Sequence, residues 1–379
     1  MAPRRPDKKS KKQNRAISRV AGGSSKPVSP QVLVKAAEYQ LQEGNVQDAA
    51  TLAEKALEQA VANTDDELSA LNLLGQINLE SGDFEAARGY FLRAVAIDED
   101  GTKDEAVGGG PEKFLCLAQL SDEGGKDSVK WFEKGAASLK KQIQTLEEAR
   151  RRSDEQEILL EELKKKLAMT LCSVAEVYMT DLSWEEDAEQ RCETLVTEAT
   201  MVAPDFAETW QTLANVRISQ SRVDDAKAAL TRSLELWKDL PPEDPSVPDF
   251  PSRVALARLL MEVEMEQEAI EVLERLVSED DESVEVWYLG GWGLYVMGEK
   301  QKADKSSEED WKASWISSRV WLNQSQHLYK LQDYEDEPLG EHAKELLGLI
   351  AKELGEAPAG EGDDDEWEDD DDSDEEMKD

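Results

Sequence analysis

Histidine and cysteine are scarce in this chain, and aromatic residues make up only 6% of its 379 residues. The two histidines, His327 and His342, and the three cysteines, Cys116, Cys172 and Cys192, include no close pair. That spacing yields neither a zinc site nor a Ser-His-Asp or Cys-His arrangement. The run Gly108-Gly-Gly-Pro-Glu-Lys113 lacks the Gly-Lys-Ser/Thr ending of a phosphate loop, and no strand pattern surrounds it. The chain therefore reads as a non-enzyme, with no metal or cofactor expected. Sparse cysteine in a long acidic chain fits a reducing compartment. No run approaches the roughly 18 apolar residues of a membrane span, and the basic N-terminus is not followed by the apolar region of a secretory signal. The expectation is a soluble, intracellular protein without a membrane partner.

What the chain does have is a spacing. A small residue is followed twelve positions later by another, five times: Ala37 with Ala49, Gly75 with Ala87, Cys116 with Ser128, Ala214 with Ala226, and Ala257 with Ala269. Each pair brackets a turn, so small residues meet where two antiparallel helices cross closely. In the second copy Leu71, Leu74, Gly75, Ala87, Phe91 and Ala94 fall where a tetratricopeptide (TPR) unit of about 34 residues places its packing residues. The chain resembles a TPR protein. Trp210, Leu213 and Ala214 with Ala226, Leu230 and Leu234 repeat the pattern, and so does Trp287-Tyr-Leu-Gly-Gly-Trp-Gly-Leu-Tyr295. The predicted fold is all-α, a superhelical solenoid of helical hairpins, with seven repeats between roughly residues 30 and 330 and an insertion in the seventh after Gly298.

The irregularities predict particular elements. From Phe132 to Tyr178 there is no proline and only Gly135, so long helices are expected, broken near Ser153. Five prolines between Asp239 and Pro251 predict a loop between repeats five and six, and Gly108-Gly-Gly-Pro111 predicts one before repeat three. Glu341 to Leu354 is amphipathic and reads as the capping helix. Trp311, Trp315, Trp321, Leu322 and Tyr329 are read as core.

Both ends differ in kind from the middle. Residues 1–26 carry nine Lys or Arg against the single acid Asp7, with almost nothing apolar to bury. Residues 1–27 are therefore expected to be a disordered basic arm, in which Arg4, Arg5, Lys8, Lys9, Lys11 and Lys12 read as a nuclear localisation signal or nucleic-acid arm. Residues 28–358 form the predicted solenoid, and 359–379 an acidic tail kept extended by self-repulsion. From Glu361 onward the tail has fourteen acids against Lys378. With a net charge of -40 for the whole chain, -35 remains on residues 27–360. A field of that sign repels nucleic acid, so no direct DNA binding is expected, and it steers in Lys- and Arg-rich polypeptides.

In a TPR stack, set positions of each first helix point into the concave groove. Here those positions and the adjoining rim give Glu38, Asn72, Gln76, Glu80, Glu176, Asp181, Gln211, Asn215, Glu262, Glu285, Tyr288, Trp292 and Tyr295. Carboxylates pair with guanidinium and ammonium groups, while Trp and Tyr faces accept Arg by stacking. For Trp292, packing against the next repeat is as good a reading as ligand contact. TPR domains that clamp the acidic C-terminus of a heat-shock chaperone need Lys, Asn and Arg at inward positions; Val34 and Glu38 stand there instead.

The basic arm, the irregular acidic array, the proline loop before Arg253 and the Asp/Glu tail together resemble one family, the fungal dedicated assembly chaperone of large-subunit ribosomal protein L-four. Ser29-Pro-Gln-Val-Leu-Val-Lys-Ala-Ala37 and Trp287 to Tyr295 carry the resemblance locally. It implies a TPR protein of cytoplasm and nucleus that holds the internal loop of newly made L-four, prevents its aggregation, and releases it on the pre-60S particle. The alternatives are a chaperone or transport adaptor for another basic client, such as histones, and a TPR scaffold in RNA processing.

Overall fold

The computed structural model describes residues 28–355. The predicted basic arm, with Arg4, Arg5, Lys8, Lys9, Lys11 and Lys12, and the acidic tail lie outside the described residues. Among the described residues there are fifteen α-helices, one short 3-10 turn and no strand. In chain order the helices are α1 Pro30–Gln42, α2 Val46–Gln59, α3 Asp65–Glu80, α4 Phe84–Ile97, α5 Glu112–Gln119, α6 Gly125–Glu147, α7 Asp154–Met179 and α8 Ala188–Val202. There follow α9 Ala207–Ser219, α10 Val223–Glu235, α11 Phe250–Glu262, α12 Glu266–Glu279, α13 Val284–Ala303, α14 Glu308–Leu331 and α15 Glu337–Leu354. They gather into two compact units that divide between Val216 and Arg217, within α9.

In the first unit α1 pairs with α2, α3 with α4, α5 with α6 and α7 with α8. The small residues lie where expected. Ala37, Ala49 and Ala87 are sealed from solvent, and a Cβ added to Gly75 would come within 2.5 Å of the Phe91 ring. Ser128 is buried and its hydroxyl donates to Ala118 O at 2.8 Å. The long helices are α6 and α7, and the break between them is written in the sequence. Ser153 caps α7 by accepting from Gln156 N, while the Gln156 side chain accepts from Ser153 N, a capping box. Lys113 and Asp98 form an ion pair inside this unit, at 2.7 Å between Nζ and Oδ2. Burial works to raise the Asp98 carboxyl, but the Lys113 ammonium and the N–H groups of Thr102 and Lys103 outweigh it and hold it below 3.8.

In the second unit α11 pairs with α12 and α13 with α14, and α15 covers both α13 and α14. Ala257 and Ala269 are fully buried at the α11–α12 crossing. The proline segment runs from Asp239 to Asp249 without helix, and Pro251 is the second residue of α11 instead of the end of the loop, because its missing N–H falls in the first helical turn. Arg275 holds that loop by donating to Lys238 O at 2.6 Å and Leu240 O at 3.0 Å. The extra residues expected after Gly298 are helical, with α14 reaching 24 residues and α13 running on to Ala303 for 20. Gly298 sits inside this helix, where a side chain would collide with Trp315. The capping helix starts four residues earlier than expected, at Glu337, with Asp336 accepting from Leu339 N at 3.1 Å. Trp315 and Leu322 are core, as predicted; Trp321 is half-buried and packs edge-on against Trp287 at 4.8 Å.

Candidate functional site

Among the described residues no helix is long and apolar enough to cross a membrane, and no group of three or more His, Cys, Asp or Glu is placed to hold a metal ion. Burial pushes the Cys116 thiol up to about 11 and Cys172 up to about 12, and raises Cys192 as well. At neutral pH these groups stay thiols and are poor nucleophiles.

The most developed site lies in the second unit, between the first helices of its two hairpins, α11 and α13. There a cavity of about 700 Å³ is bounded by Glu262, Tyr288 and Trp292, three of the sequence-predicted positions, together with Met261, Leu289 and Val296. Ion pairs close both ends. Arg258 Nη2 meets Glu285 Oε1 at 2.5 Å, and Lys300 Nζ lies 3.2 Å from Glu264 and 2.8 Å from Glu266. The aromatic wall is fixed from behind by α15, where His342 Nδ1 lies 2.7 Å from Tyr288 Oη and the His342 ring stands edge-on to Trp292 at 5.5 Å. Burial raises the Tyr288 hydroxyl above 10, so the phenol stays neutral and able to hydrogen-bond.

The turn that supplies Glu264 has no glycine at its left-handed position. Gly44 and Gly82 occupy the left-handed position of the first two hairpin turns, at φ 78° and 76°, five residues before Ala49 and Ala87. Glu264 takes that position at φ 63°, five residues before Ala269, where glycine would be unstrained. Its carboxylate is thereby carried to Lys300.

The other predicted positions fare differently. Glu38, Gln76 and Glu80 are exposed in the first unit. Glu176 keeps an exposed face, yet the helices crowding it desolvate its carboxyl and raise it above 4.5. Asn72 does not offer itself to a ligand, for it is buried and its Nδ2 donates to Leu68 O at 3.1 Å and Gly108 O at 2.6 Å, pinning the glycine loop. Asp181 accepts from Gly125 N at 3.0 Å and so caps α6. Gln211 is buried, and Asn215 half-buried, on α9. Tyr295 stacks on Trp315 at 5.4 Å, nearly parallel, and belongs to the packing of α13 on α14. Met261, Lys300 and His342, which the sequence reading passed over, are brought to the cavity by contacts distant in sequence.

Residues 29–100 match the tetratricopeptide repeat family. Over 401 aligned residues the chain is 47% identical to an Emericella nidulans protein named probable assembly chaperone of rpl4, with 100% of each covered. The chain belongs to that family. A Schizosaccharomyces pombe rpl4 assembly chaperone, also named as probable, is 35% identical over 284 residues, covering 74% of this chain and 80% of that one. The solved structure of residues 1–338 of Acl4, titled an assembly chaperone of RpL4, is 56% identical with a TM-score of 0.70; it covers 74% of this chain and all of its own. Membership of a family of assembly chaperones makes this a non-enzymatic protein, in keeping with its inert thiols.

Proposed function

We propose that this protein is a dedicated chaperone of newly made ribosomal protein L4: it holds the basic extended loop against acidic helix faces, prevents its aggregation, and hands it to the nuclear pre-60S particle. The observation that carries this reading is the identity of 47% along the entire chain to a protein named for that client. The charge distribution supports it, because -35 on residues 27–360 attracts a segment rich in Lys and Arg. A loop that threads into rRNA is basic and unfolded without RNA, so it needs neutralising until RNA is present. Phosphates of rRNA then compete for the same cations, which releases the client without ATP. The basic residues Arg4 to Lys12 supply the nuclear address in this account, so the protein works in both cytoplasm and nucleus.

The test is a salt titration of rpl4 binding to the full-length protein. An affinity that falls steeply between about 50 and 300 mM salt is expected, since exposed charges lose most of their reach over that range. Salt-independent binding would contradict the proposed mode of capture, and retention of core histones as strong as that of rpl4 would replace the dedicated client by basic proteins in general.

A further inference from the structure

We propose that the cavity between α11 and α13 is a socket for one arginine side chain of the client, and that it prefers arginine over lysine. The proposal rests on the client reading above only for the source of the arginine. Its grounds are local. Of the acids bordering the cavity, Glu264 and Glu266 share the single cation Lys300, and Glu285, just beyond one end, pairs with Arg258. Glu262 is exposed and makes no ion pair among the described residues. Four carboxylates thus face two cations, and Glu262 is the one without an ionic partner, open to an incoming cation.

The surrounding chemistry selects which cation. Trp292 and Tyr288 form a wall of two tilted rings 6.0 Å apart, half-buried and braced by His342. A guanidinium is planar and weakly hydrated, so it can lie on an indole face while donating two parallel hydrogen bonds to a carboxylate. An ammonium is compact and strongly hydrated, and it can do neither as well. Met261, Leu289 and Val296 offer apolar surface for the methylene stem. The volume of about 700 Å³ leaves room for the side chain and the adjoining backbone.

Octa-arginine and octa-lysine carry the same charge, so a diffuse acidic surface binds them alike. Titrated calorimetrically into the full-length protein at about 150 mM salt, octa-arginine should bind about tenfold more tightly, the yield of one stacked and paired guanidinium. Glu262→Gln should bring the two affinities within about twofold of each other. Trp292→Leu should do the same; because Trp292 also packs on His342, the exposed Glu262 carries the decision, with thermal melts checked to match. Equal affinities in the unaltered protein, or a preference that survives Glu262→Gln, would overturn the proposal. Capture of rpl4 is measured in parallel. If rpl4 is held but the two peptides bind equally, the socket alone is wrong; if arginine is preferred but rpl4 is not held, the socket stands and the client reading falls.

Discussion

Lys113 Nζ lies 2.7 Å from Asp98 Oδ2 inside the first unit, with both side chains closed to solvent. Asp98 also accepts from Thr102 N at 2.9 Å and Lys103 N at 3.2 Å, and Lys113 donates to Gly110 O at 2.7 Å. The pair therefore ties the end of α4 to the start of α5 and shapes the glycine-rich connection between them.

Replacing Lys113 with Met leaves Asp98 buried without its counter-charge. Breaking a buried pair on one side costs about 3–5 kcal/mol, which chemical denaturation will register as a large drop in the midpoint. Lys113→Met combined with Asp98→Asn should recover part of that loss, because no naked charge remains.

Arg253 and Glu279 give a pH dependence. Arg253 is buried and meets both Glu279 oxygens at 2.6 Å, and this hydrogen bonding, followed by the guanidinium charge, holds the carboxyl below 4.5 against a smaller opposing effect of burial. A carboxylate with a lowered folded pKa contributes stability that is complete above the unfolded value near pH 4.5 and disappears as pH falls through the folded value. Melting temperatures should thus fall on acidification below pH 4.5, and in Arg253→Met that part of the fall should be smaller.

Two glycines of one hairpin should respond with opposite sign. Gly75→Ala forces a Cβ to within 2.5 Å of the Phe91 ring and should cost about 1–3 kcal/mol through overpacking. Gly89, exposed in α4, has open space around the added Cβ, so Gly89→Ala should gain about 0.5–1 kcal/mol of helix stability. Denaturant midpoints of the two variants compare them directly.

In the second unit, Tyr288→Phe removes the hydrogen bond to His342 and leaves its Nδ1 without that partner. The expected loss is about 0.5–1.5 kcal/mol, read as a lower melting temperature.

Much of this was legible from spacing alone. The twelve-residue interval located Ala37, Gly75, Ala257 and their partners at helix crossings, because close approach demands small side chains wherever the pattern recurs. Ser153 and the prolines after Asp239 marked boundaries for equally local reasons. The groove was less legible. Periodicity places a residue on a face but says nothing of what arrives from elsewhere. Asn72 was taken up by Gly108, thirty-six positions later, and Tyr295 by Trp315, twenty positions later. Lys300 reached Glu264 across a turn and a whole helix, so that end of the cavity had no local signature. The one available clue was Glu264 itself, standing five residues before a small residue where the first two hairpins have glycine.

The most direct test of the central claim is capture of rpl4 by the full-length protein at about 150 mM salt, with the internal loop of rpl4 present or deleted and core histones as competitors. The account predicts that intact rpl4 is held in the presence of histones and that deleting the loop abolishes capture. Undiminished capture of loop-deleted rpl4, or displacement of rpl4 by histones, would contradict it.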